Sequence, residues 1–223
     1  MTFKLFFQAI VKFLLGVVLV GALIFIPAGT LLYVEGWILM GILFVPMFVA
    51  GLVMMVKDPH LLASRLDAKE KQNEQSIIIK LSGLMFIAGF VVAGLDYRFG
   101  WLDLPLAVSI VGAVLFLLAY ILYAEVLREN TYLSRTIRVE EGQKVIDTGL
   151  YGIVRHPMYS ATLLLFISMP LVLGSLCALP VFLLYPFIIV GRIRHEEQFL
   201  EVELTGYTDY KAKVKYRLIP FIW

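Results

Sequence analysis

Residues 13–32 read FLLGVVLVGALIFIPAGTLL, an apolar run without a charged side chain. A helix needs about 20 such residues to cross a bilayer, and only a helix satisfies its own backbone hydrogen bonds in lipid. This run is too long for a signal peptide and has no small-residue cleavage pattern near Pro27, so we expect it to be retained. Three further segments have the required length, at 37–56, 77–95 and 104–126. The sequence therefore predicts four transmembrane helices, the first two joined by a short turn at 33–36.

The composition excludes an ordinary soluble domain, because 61% of the 223 residues are hydrophobic and only 16% are charged. The net charge of +2, without basic runs interleaved with aromatic residues, argues against a nucleic acid partner. Cys177 is the single cysteine, and the three histidines have no metal-ligand spacing. We therefore expect an all-α, polytopic membrane protein with membrane lipids as partners and with no metal.

The distribution of basic residues predicts the orientation of the bundle. The loop after the third predicted span has Arg98 between two acidic residues, whereas the loop after the second is rich in basic residues: Lys57, Arg65, Lys69, Lys71 and Lys80. Cytoplasmic loops are enriched in Lys and Arg. We therefore predict that both termini, and the polar segments 128–156 and 192–217, lie in the cytoplasm.

Three polar segments flank the apolar runs. Segment 57–76 leaves two interpretations open, a solvated connector and a short interfacial helix. Segment 128–156 mixes apolar and charged residues and is predicted to form a partly ordered cap. Segment 207–217 is basic and aromatic, and attraction to anionic headgroups explains it without a catalytic role.

An apolar stretch at 158–190 separates the polar segment 128–156 from the polar segment 192–217. Gly174-Ser175 predicts a reversal of the chain there, and Pro170 and Pro180 predict kinks in the two arms. The expected structure is a helical hairpin that returns the chain to its starting side, which gives five to six membrane helices in total. Such a hairpin would bring residues near 155 close to residues near 196.

A first patch, Arg155-His156-Pro157, precedes the first arm of this hairpin. Proline is tolerated in the first turn of a helix, so Pro157 can begin the arm and leave backbone amides at its mouth. Arg155 adds a planar cation suited to a carboxylate or phosphate, and His156 adds a group that changes protonation near neutral pH. The alternative interpretation is ordinary basic flanking of a membrane helix.

A second patch, Arg192-Ile193-Arg194-His195-Glu196-Glu197, follows the second arm. Arg192 and Glu196 are one helical turn apart and share a face, whereas Glu196 and Glu197 point about 100° apart. One of the two glutamates can therefore face the first patch. A surface pair between Arg192 and Glu196 on an exposed helix remains the alternative.

The two patches together resemble the isoprenylcysteine carboxyl methyltransferase family and its prokaryotic relatives, with phospholipid methyltransferases as more distant kin. The resemblance covers roughly residues 136–222. It rests on Gly149-Leu150-Tyr151, on Arg155-His156-Pro157 with Tyr159, on Glu196-Glu197 with Leu200, and on Tyr207 and Tyr210 before a terminal Ile-Pro-Phe.

The resemblance implies an enzyme that uses S-adenosyl-L-methionine without a Rossmann domain, and no glycine-rich dinucleotide fingerprint occurs in the sequence. It implies a division into a transmembrane region at 1–127 and a cofactor-binding and catalytic region at 128–223. The implied cofactor-binding residues are Gln143, Val145, Ile146, Tyr151, His156, Pro157, Tyr159 and Glu196. The implied catalytic residues are Arg155, Arg192 and Glu197.

The methyl acceptor implied by the resemblance is lipid-like. The reaction that it implies before the others is carboxyl methylation of an isoprenylcysteine-like substrate. A carboxylate needs no base and would be oriented by Arg192 or Arg155. A phospholipid amine must first lose a proton, which makes His156 or Glu197 a candidate base. The sequence is also compatible with an NADPH-dependent sterol-type reductase and with a non-catalytic membrane scaffold.

Overall fold

The computed structural model of the chain describes residues 3–66, 73–133, 137 and 139–223. Within those ranges the regular elements are helices and no strand occurs, which confirms the predicted all-α class. The first half contains α1 (Phe3–Ala28), α2 (Val34–Lys57), α3 (Pro59–Leu66), α4 (Asn73–Phe99) and α5 (Leu106–Glu129). The second half contains a 3-10 turn (Gly149–Gly152), α6 (Pro157–Val172), α7 (Leu179–Phe182), α8 (Tyr185–Glu203) and α9 (Tyr207–Lys213).

Four of these helices are long and apolar enough to cross a membrane, as predicted, with spans at Leu5–Ala28, Val34–Lys57, Ile77–Phe99 and Leu106–Glu129. Their outer faces expose large apolar side chains, such as Leu19 at 58% and Val56 at 82%. A soluble protein rarely exposes a continuous apolar surface of this kind. The architecture is therefore that of a polytopic membrane protein.

The connection between α1 and α2 differs from the prediction. α1 ends at Ala28 because Gly29 adopts a left-handed conformation with φ +69°, and its amide donates to the carbonyl of Phe25 at 3.0 Å. α2 already begins at Val34, so the turn predicted at 33–36 is wrong. The apolar runs of α1 and α2 nearly adjoin in the sequence. Their apolar pattern did not show that α1 ends before Gly29, ahead of the predicted turn that contains Gly36.

The predicted apolar hairpin is formed by α6, α7 and α8. α6 begins at Pro157, as expected, and spans about 24 Å at 1.5 Å per residue. Pro170 lies in its last turn, and the chain reverses at Gly174 with φ +64°. The expected kink at Pro180 is wrong, because Pro180 lies in the first turn of the separate helix α7, and Pro186 does the same in α8. Proline is tolerated there because the first N–H groups of a helix have no partner within it.

Two glycines allow the hairpin and the spans to pack closely. A Cβ on Gly112 of α5 would lie 2.6 Å from the amide nitrogen of Val172 and 2.8 Å from the carbonyl carbon of Leu171. A Cβ on Gly94 of α4 would lie 2.6 Å from the carbonyl oxygen of Ile24. Within a membrane, small residues at such contacts let helix backbones approach and gain dispersion energy. α6 is thereby held against α5, and α4 against α1.

One apolar core runs through both halves of the chain. The ring of Phe166 packs edge-on against Phe86 and against Tyr185, with centroid distances of 4.6 Å in both pairs. Ile189 and Ile193 of α8 are almost fully buried in the same core. This packing determines how α8 is rotated about its axis.

A buried polar cluster secures the hairpin turn at the opposite end of the bundle from the Arg155 patch. The carboxylate of Asp96 accepts hydrogen bonds from the hydroxyl of Ser175 at 2.6 Å and from the amide of Leu102 at 3.1 Å. The hydroxyl of Tyr33 donates to the carbonyl of Leu173. Buried polar groups are stable only with such partners, so these bonds fix the turn relative to α4 and α2.

Of the two interpretations of segment 57–76, the structure has the helical one, as α3. The amide of Leu61 donates to the carboxylate of Asp58 at 2.9 Å, an N-terminal cap, and Leu61 and Leu62 are buried against the bundle. Its position at a membrane interface stays a prediction. Residues 67–72, which include Lys69 and Lys71, lie outside the described residues.

Candidate functional site

The hairpin brings the two polar patches together at one end of the bundle. Because α6 begins at Pro157, Arg155 and His156 stand just before its first turn, and α8 returns beside them. The backbone amides of Tyr159 and Ser160 donate to the carbonyl of His156, so the start of α6 offers fewer open amides than expected. Among the described residues of this region, the buried charged or titratable side chains include Arg155, His156, Arg192 and Glu197.

Glu197 lies at the centre of a cationic cluster. Its Oε1 accepts a hydrogen bond from Arg155 Nε at 2.7 Å and lies 3.3 Å from His156 Nε2. Its Oε2 accepts a hydrogen bond from Arg217 Nε at 2.9 Å. Burial raises the pKa of Glu197, but the hydrogen bonds from His156 and Arg155 outweigh burial and lower this pKa below its ordinary range. Glu197 therefore stays ionised and orients both side chains of the first patch.

Tyr159 connects two further charged residues of the second patch, Arg192 and Glu196. Its hydroxyl donates to Glu196 Oε2 at 2.5 Å and accepts a hydrogen bond from Arg192 Nε at 2.8 Å. The ring of His156 lies over that of Tyr159 with a centroid distance of 5.7 Å, and its Nδ1 is 4.0 Å from Glu196 Oε1. The phenol thus bridges a cation and a carboxylate and fixes the position of both.

The C-terminal segment packs against the first patch. The amide of Arg155 donates to the carbonyl of Tyr216, and the amide of His156 donates to the carbonyl of Arg217, both at 2.9 Å. The guanidinium of Arg155 also donates to the carbonyl of Val214 at 2.6 Å. The segment interpreted as a headgroup-binding tail is therefore part of the framework that holds Arg155 and His156.

The 3-10 turn at Gly149–Gly152 forms another wall of the site. The amide of Leu150 donates to the carboxylate of Glu129 at 3.0 Å. Gly149 has φ +51°, and a Cβ at this position would overlap the carboxylate of Glu129. The backbone conformation therefore favours glycine at position 149, and the absence of a Cβ leaves room for the carboxylate of Glu129.

The turn places Tyr151 between α5 and α9. The hydroxyl of Tyr151 accepts a hydrogen bond from Asn130 Nδ2 at 3.0 Å, and its carbonyl accepts one from the hydroxyl of Tyr210 at 2.7 Å. Tyr207 lies beside Tyr210, with ring centroids 5.7 Å apart. These rings join the turn, the end of α5 and α9 into one wall.

A cavity of about 830 Å³, counting the part that is open to solvent, lies between these elements. Its walls come from the segment after α5, the 3-10 turn, the start of α6, the inner face of α8, and α9. Among the residues that the structure describes, no group of three or more His, Cys, Asp or Glu side chains is placed to hold a metal ion.

Most of the predicted site residues line this cavity. The predicted cofactor-binding residues in its walls are Gln143, Val145, Ile146, Tyr151, His156, Tyr159 and Glu196, and the predicted catalytic residues there are Arg155 and Arg192. Pro157 and Glu197 are not among the lining residues. Pro157 begins α6, and Glu197 lies behind Arg155 and His156.

Several lining residues were not predicted from the sequence: Asn130, Tyr132, Leu133, Ile137, Leu200, Leu204, Tyr207 and Tyr210. The spacing of residues along a helix could have predicted that some of them line the cavity. Leu200 follows Glu196 by one turn, and Leu204 follows Leu200 by another, so both continue the same face of α8. Tyr207 and Tyr210 are one turn apart on α9, but their sequence alone does not indicate what they face.

Comparison with known proteins finds similarity to a sterol reductase and to a methyltransferase family. The chain is 32% identical over 91 residues to the Delta(14)-sterol reductase TM7SF2 of Mus musculus, a stretch that is 40% of this chain. That stretch spans only 22% of the length of the mouse protein. Residues 107–204 match the sequence model of the phospholipid methyltransferase family. The region that contains α6, α8 and most of the cavity walls is therefore similar to phospholipid methyltransferases.

Proposed function

We propose that the protein is an S-adenosylmethionine-dependent methyltransferase that acts on a lipid-like acceptor in the membrane. The observation that carries the proposal is the cavity that gathers His156, Tyr159, Arg192 and Glu196 at one end of four apolar helices. The similarity of residues 107–204 to the phospholipid methyltransferase family supports the same reaction class. A lipid-like acceptor accounts for a site of this kind on a membrane bundle.

The chemistry of the lining residues fits S-adenosylmethionine, which carries an ammonium, a carboxylate, a ribose and an adenine. Glu196 offers a carboxylate to the ammonium, and Lys144 offers a cation to the carboxylate. Tyr151 offers an aromatic face to the adenine, and Gln143 offers polar atoms to the ribose. The cavity thus holds a partner for each part of the cofactor.

When bound, the cofactor supplies a methyl group on a sulfonium sulfur, which becomes a thioether as the methyl bonds to the acceptor. The residues of the chain need only align the two molecules and exclude water, which accounts for much of the rate in such a displacement. Glu197 holds Arg155 and His156 in place and is a positioning residue in this scheme. Tyr159 holds Arg192, which we place next to the acceptor.

The acceptor we favour is the carboxylate of an isoprenylcysteine-like substrate. Such a carboxylate is ionised at neutral pH, so it needs no base, and Arg192 can orient it with its planar guanidinium. A phospholipid amine is the second candidate, and the family similarity favours it. An ammonium must lose a proton before it can accept a methyl group, and His156, which lines the cavity, is then the candidate base.

Titration calorimetry of the detergent-purified protein tests the cofactor. We expect S-adenosylhomocysteine to bind and NADPH not to bind. We also expect Glu196→Gln and His156→Ala to lose affinity, whereas Arg192→Ala keeps it and loses methyl transfer. A reductase is the rival because of the sterol reductase similarity. NADPH binding without S-adenosylhomocysteine binding would reject the methyltransferase, and no binding of either would favour a scaffold.

The class of acceptor is tested by incubating membranes with a methyl-labelled cofactor and treating the products with mild alkali. A methyl ester releases labelled methanol under these conditions, whereas a methylated amine keeps its label. We expect release from an extractable lipid-like product. A label that resists alkali and stays, as non-volatile material, on a phospholipid headgroup would instead identify the amine as the acceptor.

We further propose that this end of the bundle faces the cytoplasm. The support is the position of the basic residues, since Lys57, Arg65 and Lys80 lie at the same end as the cavity and Arg98 lies at the other. Single cysteines at Glu141 and at Asp103, in a Cys177→Ser background, test this in intact cells. An impermeant thiol reagent should label position 103 only, and labelling of position 141 would reverse the orientation.

A further inference from the structure

Tyr207 has a buried hydroxyl without a hydrogen-bond partner among the described residues. Its side chain lies in the wall of the cavity and is only 4% exposed. Buried hydroxyls in folded proteins nearly always have a partner, because an unpaired one has lost its water without compensation. A buried polar atom of this kind, in the wall of a cavity, points to a ligand as its partner.

The neighbouring tyrosines differ from Tyr207 in this respect. Tyr210, on the same helix, donates to the carbonyl of Tyr151 at 2.7 Å. The hydroxyl of Tyr151 accepts a hydrogen bond from Asn130, and that of Tyr159 contacts both Glu196 and Arg192. The protein itself therefore satisfies three of the tyrosines that line the cavity, and Tyr207 is the contrasting case within the described part of the chain.

The surroundings of Tyr207 define what its hydroxyl can bind. Burial raises the pKa of Tyr207, and the nearby carboxylates of Glu197 and Glu196 raise it further. The phenol is therefore protonated at neutral pH and acts as a donor. The same carboxylates disfavour an anionic group beside it, and the guanidinium of Arg155 is already bonded to Glu197. The ligand atom that fits is a neutral acceptor.

We propose that the Tyr207 hydroxyl donates a hydrogen bond to the nucleoside part of the cofactor, at a ribose hydroxyl or an adenine nitrogen. Both are neutral acceptors, whereas the amino-acid end of S-adenosylmethionine presents an anionic carboxylate. This inference rests on the proposed function, because it takes S-adenosylmethionine as the ligand. It assigns to α9 a direct part in cofactor binding.

The test compares Tyr207→Phe with Tyr210→Phe, because both variants lose one hydroxyl from the same short helix. Titration calorimetry uses S-adenosylhomocysteine and 5′-methylthioadenosine, which lacks the amino-acid end. We expect Tyr207→Phe to weaken both ligands by the same factor, on the order of ten-fold, as for one lost hydrogen bond. Its thermal midpoint without ligand should equal or exceed that of the wild type. Tyr210→Phe should instead lower the midpoint without ligand, because it leaves the carbonyl of Tyr151 without its donor.

Three results would overturn parts of this scheme and can be told apart. Equal affinity of wild type and Tyr207→Phe for both ligands would overturn the assignment of Tyr207. A loss confined to S-adenosylhomocysteine would overturn the nucleoside contact, because Tyr207 would then act on the amino-acid end. Absence of binding to the folded wild type would overturn the proposed function itself.

Discussion

The hydroxyl of Tyr159 donates a hydrogen bond to Glu196 at 2.5 Å, although the two residues are 37 positions apart in the sequence. The same hydroxyl accepts a hydrogen bond from Arg192 Nε at 2.8 Å. Each of these bonds crosses from α6 to α8. The hairpin is thus closed at its polar end by one phenol oxygen, and this oxygen also positions the two charged side chains that face the cavity.

Tyr159→Phe removes this oxygen and keeps the ring. Hydrogen bonds to charged groups contribute about 1.5–3 kcal/mol each, so we expect the loss of both to lower the free energy of unfolding by about 3–6 kcal/mol. Loss of alignment at Arg192 should lower methyl transfer by about 100-fold, as for a misplacement of roughly 1 Å. Thermal unfolding in detergent and single-turnover methyl transfer measure the two effects.

Tyr185→Phe is the matched control for this variant. Tyr185 is also a buried tyrosine of the hairpin, and its hydroxyl is hydrogen-bonded to Thr162 at 2.9 Å. We expect a smaller loss of stability, about 1 kcal/mol, and unchanged methyl transfer. Equal transfer rates in Tyr159→Phe and Tyr185→Phe would contradict a positioning role for Tyr159.

Glu197→Gln should destabilise the protein by about 3–5 kcal/mol at neutral pH, because it leaves the buried Arg155 without a counter-charge. The pKa of Glu197 is lowered in the folded protein, so its ionised form adds stability that is complete above the ordinary value of 4.5. This contribution is lost as the pH falls below that value. The thermal midpoint of the wild type should therefore drop between about pH 5 and pH 3, whereas that of Glu197→Gln should change less.

Glu203→Gln provides the control, because Glu203 is on the same helix and exposed to solvent. The thermal midpoint of Glu203→Gln should change with pH across the acid range in the same way as that of the wild type. Parallel profiles for the wild type and Glu197→Gln would mean that Glu197 does not stabilise the folded protein through its charge.

Gly112→Ala should separate α5 from α6. The added Cβ would lie 2.6 Å from the amide nitrogen of Val172, which is backbone and cannot move aside cheaply. Overpacking of this kind costs about 1–3 kcal/mol. Gly51→Ala on α2 is the control, because no atom lies within 4 Å of a Cβ there, and it should leave the midpoint unchanged or raise it. Similar midpoints for both variants would exclude a close α5–α6 contact.

Gly149→Ala should weaken S-adenosylhomocysteine binding by displacing the wall that carries Tyr151. Its Cβ would overlap the carboxylate of Glu129, in addition to the strain of a positive φ. Gly142→Ala has the same kind of strain, with φ +74°, but no neighbour within 4 Å. We expect at least a ten-fold loss of affinity for Gly149→Ala and little change for Gly142→Ala. Equal losses would attribute the effect to backbone strain alone.

Much of the fold was predictable because a membrane span depends mainly on its own sequence. Each of the four spans needs only sufficient apolar length, since its backbone hydrogen bonds are internal. The ends of the helices were less predictable. Gly29 ends α1 through its positive φ and Pro180 lies in the first turn of α7, and apolar periodicity reveals neither. The juxtaposition of the residues near 155 with those near 196 also followed from one local signal, the reversal at Gly174.

The sequence by itself thus determined the helical membrane architecture and the residue types of the candidate site. Only the tertiary structure decided that Glu196 lines the cavity while Glu197 binds Arg155, and that Tyr207 contributes to the wall. The physical reason is that adjacent glutamates on a helix differ by about 100° in direction, which leaves either one free to face the site. The burial of Ile189 and Ile193 in the shared core sets the rotation of α8, and that packing involves residues from both halves of the chain.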